Sequence, residues 1–121
     1  MTRKDTRYNR ESASKLLPLL SAIGREMRER ETQLRLIENE LAFLEATPLD
    51  IDETPSAREA YAQSLIAEVA NHRRELRHAE KELDQLGCTV VGHSPLTIRI
   101  PGRVGETKHS FVWQTGDAVL S

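Results

Sequence analysis

Along the first two thirds of the chain, apolar residues recur at alternating steps of three and four. From Ala13 these steps visit Leu16, Leu20, Ile23, Met27, Arg30, Leu34, Ile37, Leu41 and Leu44, and only Arg30 is polar. A second run visits Ala62, Leu65, Val69, His72, Leu76, Ala79, Leu83 and Leu86, broken only by His72. Such spacing draws one apolar stripe along each of two helices, the seam of a coiled-coil pairing.

The flanks carry matching start and stop signals. Asn9 can cap the first run by accepting from an N–H of the first turn, and Thr54 followed by Pro55 opens the second. Gly87 suits the left-handed residue that closes a helix. The pattern therefore predicts helices over about residues 10–45 and 55–86. Pro18 removes the hydrogen bond to the carbonyl of Ser14, so a bend or loosened first turns are expected there.

Folding the two stripes back about the 46–54 loop sets Leu41 beside Ala62, Ile37 beside Leu65, Leu34 beside Val69 and Leu20 beside Leu83. In this register Arg30 and His72 share one layer.

The last third changes character. CTVV, PLTIRIP and KHSFVWQ are short, rich in β-branched and aromatic residues, and separated by GHS and GRVGET. They predict three strands, with a hairpin joining the last two. Leu96, Ile98 and Ile100 alternate onto one face, and Phe111 and Trp113 share a face opposite them. These faces need cover, and the nearest is the base of the helical hairpin around Leu16, Leu17, Leu20, Leu83 and Leu86.

The fold class expected is thus mainly α, a long antiparallel helical hairpin of coiled-coil type with a small C-terminal β-hairpin or three-stranded appendage. The parts run as a mobile basic tail over 1–8, the hairpin over 9–87, the β appendage over 88–117 and a tail over 118–121.

Composition agrees with thin, solvated helices. Of 121 residues, 38% are hydrophobic and 30% charged, and the aromatics are one Trp, two Tyr and two Phe. The formal net charge of −2 gives no general attraction to nucleic acid or acidic membranes. A single cysteine, Cys88, excludes an internal disulfide and fits a reducing compartment. The start MTRKDTRYNRES does not lead into a signal-peptide core, and no window approaches the roughly 20 apolar residues of a membrane span. A cytoplasmic protein is expected.

The order of these parts resembles the small bacterial proteins of domain-of-unknown-function family 2203. The resemblance rests on the capped start followed by ASKLLPLL, the charged hairpin, LG followed by a valine-rich strand, the extended TIRIP and FVWQTGD, and it spans about Tyr8 to Asp117. It implies a fold rather than an activity. Members of that family continue past the final Trp and Gly into a further stretch with Trp, His and a glycine-rich end, whereas this chain stops at DAVLS.

Candidate chemistry is sparse. Asp50, Asp52 and Glu53, flanked by Glu45 and Glu59, form an acidic tip; carboxylates held there could reach into another protein's active site and hold Mg²⁺. In outline this is similar to Gre-type transcript cleavage factors, whose acidic coiled-coil tip enters RNA polymerase. The segment after Gly87 is too short for the C-terminal domain of those factors, and a solvated, proline-punctuated loop is the simpler account. Arg30 and His72 form a candidate polar layer, either a pH-sensitive pair, a register device or an Arg that snorkels to Glu26 or Glu31.

Arg73, Arg74, Arg77, His78 and Lys81 make a basic strip, but Glu75, Glu80, Glu82 and Asp84 interleave with it, so nucleic-acid binding is not expected. Gly102-Arg103-Val104-Gly105 spells the GxxG of KH domains in the wrong context, between strands instead of helices. Cys88, His93 and His109 lack a fourth partner or paired spacing for zinc. With no nucleophile elbow, phosphate loop or dinucleotide fingerprint, no enzyme and no cofactor are expected.

What remains is shape. Leu36, Phe43, Tyr61 and Ile66 lie off the main seam and are candidate contacts for a homodimer. The leading expectation is a non-enzymatic interaction or scaffold protein with an unknown protein partner. The alternative is a regulator acting through the acidic tip on RNA polymerase or another Mg²⁺-dependent enzyme.

Overall fold

The computed structural model describes residues 7–117, so the predicted tail at 118–121 and all but the end of the predicted 1–8 tail lie outside the described residues. Helix α1 spans Arg10–Ser14, α2 Leu17–Ala46 and α3 Pro55–Gln85. Strands follow as β1 Thr89–His93, β2 Leu96–Ile100, β3 Arg103–Val104, β4 Thr107–Lys108 and β5 Phe111–Gln114. Two long helices pack against each other and a small antiparallel sheet follows them, as the hydropathy pattern predicts. No helix among the described residues is long and apolar enough to cross a membrane.

The chain divides into two compact units: residues 7–28 with 78–117, and Glu29–Arg77. In the first unit the predicted continuous helix from residue 10 is broken. Asn9 caps α1 through a capping box, its Oδ1 accepting from Ser12 N–H at 2.7 Å while Ser12 Oγ accepts from Asn9 N–H at 3.0 Å. The helix stops at Ser14 because Pro18 offers no N–H to its carbonyl, and α2 then starts with Pro18 in its first turn, where the missing donor costs nothing.

The far end of α3 closes with a Schellman motif. Gly87 takes φ +81°, Cys88 N–H donates to Leu83 carbonyl at 2.9 Å and Gly87 N–H to Asp84 carbonyl at 2.9 Å. Buried Cys88 and Leu83 supply the apolar contact that accompanies this cap.

The sheet of this unit has the order β1-β2-β5, antiparallel throughout, with Ile98 opposite Trp113 and Ile100 opposite Phe111. Leu96, Ile98, Ile100, Phe111 and Trp113 are all buried, as are Ala13, Leu20, Ile23, Met27, Ala79 and Leu83 from the helices. Of the five helix residues named as cover, Leu20 and Leu83 are buried and Leu16, Leu17 and Leu86 half-buried. Gly24 is a point of close approach between α2 and the sheet, since a Cβ there would lie 3.2 Å from Leu96 Cδ2 and 3.5 Å from the Trp113 ring.

The predicted turn between the last two strands is more elaborate than a turn. β3 and β4 pair as a separate two-stranded ladder whose reversal uses Gly105 at φ +63°. Tyr8 is also part of the fold: its N–H donates to Pro101 carbonyl at 3.0 Å, and its carbonyl accepts from Arg103 N–H at 2.9 Å.

In the second unit, Ile37 and Leu65 are buried, and Arg30, Leu34, Leu41, Leu44, Ala62, Val69, His72 and Leu76 are half-buried. These are the seam positions that the three-four stepping picks out. The antiparallel register is fixed by cross-helix pairs: Arg30 with His72, Glu38 with Arg73 at 3.0 Å, and Tyr61 with Glu40.

Candidate interaction surface

The acidic loop is built around an arginine that pattern reasoning passed over. Thr54 caps α3, its Oγ1 accepting from Ala57 N–H at 3.1 Å, and this places Arg58 one turn into the helix with its side chain reaching back across the loop. The guanidinium donates to both carboxylate oxygens of Glu53, to the Leu44 carbonyl at 3.2 Å, to the Thr47 carbonyl, and to the Pro48 carbonyl at 3.3 Å. It thereby adds a donor to one carbonyl in the last turn of α2 and supplies donors to two carbonyls of the loop that follows.

Glu53 consequently serves the loop. The hydrogen bond from Arg58 holds its carboxyl below the usual range and pushes the guanidinium up. Asp50 and Asp52 stay exposed, and the Asp50 carbonyl accepts from Glu53 N–H at 3.1 Å to shape the turn. Among the described residues no three His, Cys, Asp or Glu side chains converge as a metal cluster would require. The tip carboxylates are thus brought near one another by the chain without forming a shared cage.

Beside this loop the unit exposes apolar surface. Leu36, Phe43, Leu49, Ile51, Tyr61 and Ile66 are all large, apolar in bulk and exposed, Phe43 at 65% and Ile66 at 48%. Leu41, Leu44, Leu49, Pro55, Ala62 and Ile66, rimmed by Glu45, Arg58 and Glu59, line a cavity of about 370 Å³. Pro55, Glu59, Ala62 and Ile66 follow one another at steps of four and three, so they lie along one face of α3.

The four predicted dimer contacts do not form one patch. Ile66 lines this groove, whereas Leu36, Phe43 and Tyr61 do not; Tyr61 turns to Glu40, whose hydrogen bond raises the phenol's pKa. Leu36, Glu40 and Phe43 fall on the other side of α2 at helical spacing, so the surface has two flanks. Leu49 and Ile51 were not singled out as contacts. Their signal was two apolar residues within the acidic loop.

Elsewhere the predicted sites separate. Arg30 and His72 meet, Nη1 to Nδ1 at 3.3 Å, both half-buried. Cys88 is buried, and desolvation pushes its thiol up to about 11, while His93 and His109 are exposed and His109 stacks edge-on against Phe111.

The family model described as "Uncharacterized conserved protein (DUF2203)" matches residues 7–121. The chain belongs to that family. No curated protein and no solved structure matches it. The DUF2203 match spans the stretches that form both the helices and the sheet, and its description assigns no chemistry to the tip.

Proposed function

We propose that this DUF2203 member is a non-enzymatic protein–protein interaction protein, and that its first partner is a second copy of itself, docked through the apolar groove of Glu29–Arg77. The observation that carries this reading is the imbalance in that unit. Only Ile37 and Leu65 are buried within it, against six exposed large side chains. Leu49 and Ile66 of these six line the groove, and apolar surface so concentrated on two helices and the loop between them is the usual mark of a contact face, which a two-fold copy would cover in a four-helix arrangement. The groove between Leu41 and Ile66 has the form that receives an apolar helix face.

Sedimentation velocity over a range of concentrations tests this. A dimer forms by high micromolar concentration, and the variant Leu49→Ser with Ile66→Ser stays monomeric with unchanged helical circular dichroism. Replacing Asp50, Asp52 and Glu53 by Asn, Asn and Gln leaves self-association intact. A wild-type monomer throughout would overturn the proposal.

A further inference from the structure

On the groove side of α3 the residues follow an order that mirrors itself about Ile66. A step of four and then three leads back to Ala62 and Glu59, and the same steps lead forward to Ala70 and Arg73. Resting on the reading of a second copy as the groove's partner, we propose that the two copies meet with their α3 helices antiparallel and Ile66 at the two-fold axis, so that Glu59 of each chain pairs with the partner's Arg73.

The register follows from this order. In an antiparallel two-fold pair, a residue before the axis lies opposite the residue equally far beyond it on the other chain. Ala62 therefore faces the partner's Ala70, and Glu59 faces the partner's Arg73. Ile66, Ala70, Glu59 and Arg73 are exposed and Ala62 is half-buried, so the row is open to such contact. The alanines allow the two helices to approach closely enough for Ile66 to meet its copy. Beyond them, the methylene stem of the partner's Arg73 covers the apolar floor at Leu41 and Leu44, while its charged head reaches the rim.

Arg73 stands on the required face. It donates to Glu38 at 3.0 Å, and Glu38 precedes Leu41 and Glu45 of the groove at helical spacing. That bond uses one N–H of Nη2, and the Arg73 side chain is 58% exposed, so its fork keeps donors for a second carboxylate. One guanidinium would then join Glu38 of its own chain to Glu59 of the other.

Charge selects the direction. Residues 38–68 hold eight carboxylates and one base, Arg58, which is committed to Glu53. Residues 29–37 and 69–77 hold five arginines against three glutamates. A parallel pair would set the acidic stretch against its own copy, with Glu59 opposite the partner's Glu59. The antiparallel pair lays that stretch over the arginine-rich one instead. Leu36 and Phe43, on the other side of α2, stay outside the contact.

Sedimentation velocity of the full chain, with variants alone and mixed, tests the arrangement. Glu59→Arg and Arg73→Glu should each weaken self-association about tenfold, because each sets like charges together at two places. Mixed in equal amounts, the two variants should associate as tightly as the wild type, since the two substitutions face each other at one contact and the native pair occupies the other. Loss of the Glu38 bond in Arg73→Glu persists in the mixture, so it cannot produce that recovery. Equal helical circular dichroism establishes that the variants are folded. Position 56 falls opposite the partner's Leu76, so spin labels on Ser56→Cys in a Cys88→Ala background should lie about 30 Å apart. Labels at less than half that distance, or a mixture no tighter than its components, would overturn the antiparallel pairing and leave self-association standing. A wild type that stays monomeric overturns both.

Discussion

Arg30 Nη1 lies 3.3 Å from His72 Nδ1, joining the two helices at the one layer of their seam where both residues are polar. Arginine has only donors, so in this contact Nδ1 of His72 must be the unprotonated nitrogen and Nε2 carries the hydrogen. The pair sits between apolar layers and is half-buried on both sides.

Replacing the pair together by leucine continues the stripe that the seam otherwise maintains. Arg30→Leu with His72→Leu is expected to raise unfolding free energy by about 1 kcal/mol, since apolar replacement of a partly buried polar pair is neutral to stabilising. His72→Leu alone should be less stable than the double variant, with a coupling of at least about 0.5 kcal/mol in a double-mutant cycle by urea denaturation.

Gly24 offers a test of how closely α2 approaches the sheet. A leucine there would drive into Leu96 and Trp113, both of which are buried, and the expected cost is about 1–3 kcal/mol. Chemical denaturation followed by Trp113 fluorescence measures it. Leucine at exposed Ala22, on the same helix, should change stability by less than about 0.5 kcal/mol.

Cys88 makes stability depend on alkali. Burial raises its thiol from 9.0 to about 11, so the folded state favours the protonated form. Its contribution is complete below pH 9 and is lost as pH rises through 11, because the unfolded chain ionises first. A Cys88→Ala variant should show a flatter stability profile between those values in urea melts. A thiol reagent at pH 8 should label the native protein slowly and the unfolded protein at once.

The Arg58 clasp responds to acid instead. Its hydrogen bonds lower the Glu53 carboxyl, so the tie is fully present above the ordinary carboxylate range and is lost as pH falls through the depressed value. Protection factors of the amides over residues 47–54, taken against the intrinsic exchange rate at each pH, should fall in acid. Arg58→Met should show that loss of protection already at neutral pH, while protection at Ile98 and Trp113 stays unchanged.

Much of the hairpin was legible because its information is local. Steps of three and four located Ile37 and Leu65 on facing stripes, and Asn9, Thr54 and Gly87 signalled caps that the backbone realises. Alternation marked Ile98 and Trp113 as members of apolar faces that need cover, and the pairing of β2 with β5 makes those faces one buried face. Pro18 signalled a disturbance, and the break before Leu17 is its form.

What escaped prediction depends on residues far apart in sequence or on what a side chain reaches. Arg58 carries no signal of its own in the sequence, yet its guanidinium ties Glu53 to the carbonyls of Leu44, Thr47 and Pro48. Arg7 seemed to belong to a loose tail, because nothing in a stretch of basic residues announces a bridge between Tyr8 and Gly102, 94 positions away. Gly24 left a fainter trace, a glycine in a helix of otherwise good formers, which is the mark of close approach. Leu36, Phe43, Tyr61 and Ile66 all lie off the seam, but distance from the seam does not say which flank of the helix pair a residue takes, and only Ile66 lines the groove.

The unit that holds the sheet is assembled from two stretches of chain separated by the whole of Glu29–Arg77. The contacts between those two stretches have high sequence separation, and a flexible insertion of that length would impose a loop-closure cost on them. The intervening residues can instead zip outward from the Thr54 cap and the Arg58 clasp, each new turn bringing the next seam pair into range. Once Arg30 has reached His72, the remaining ends are already close, and the search left to Leu20 and Leu83 is short. The proline-punctuated turn is thus expected to set the order of folding, with the sheet-bearing unit closing last.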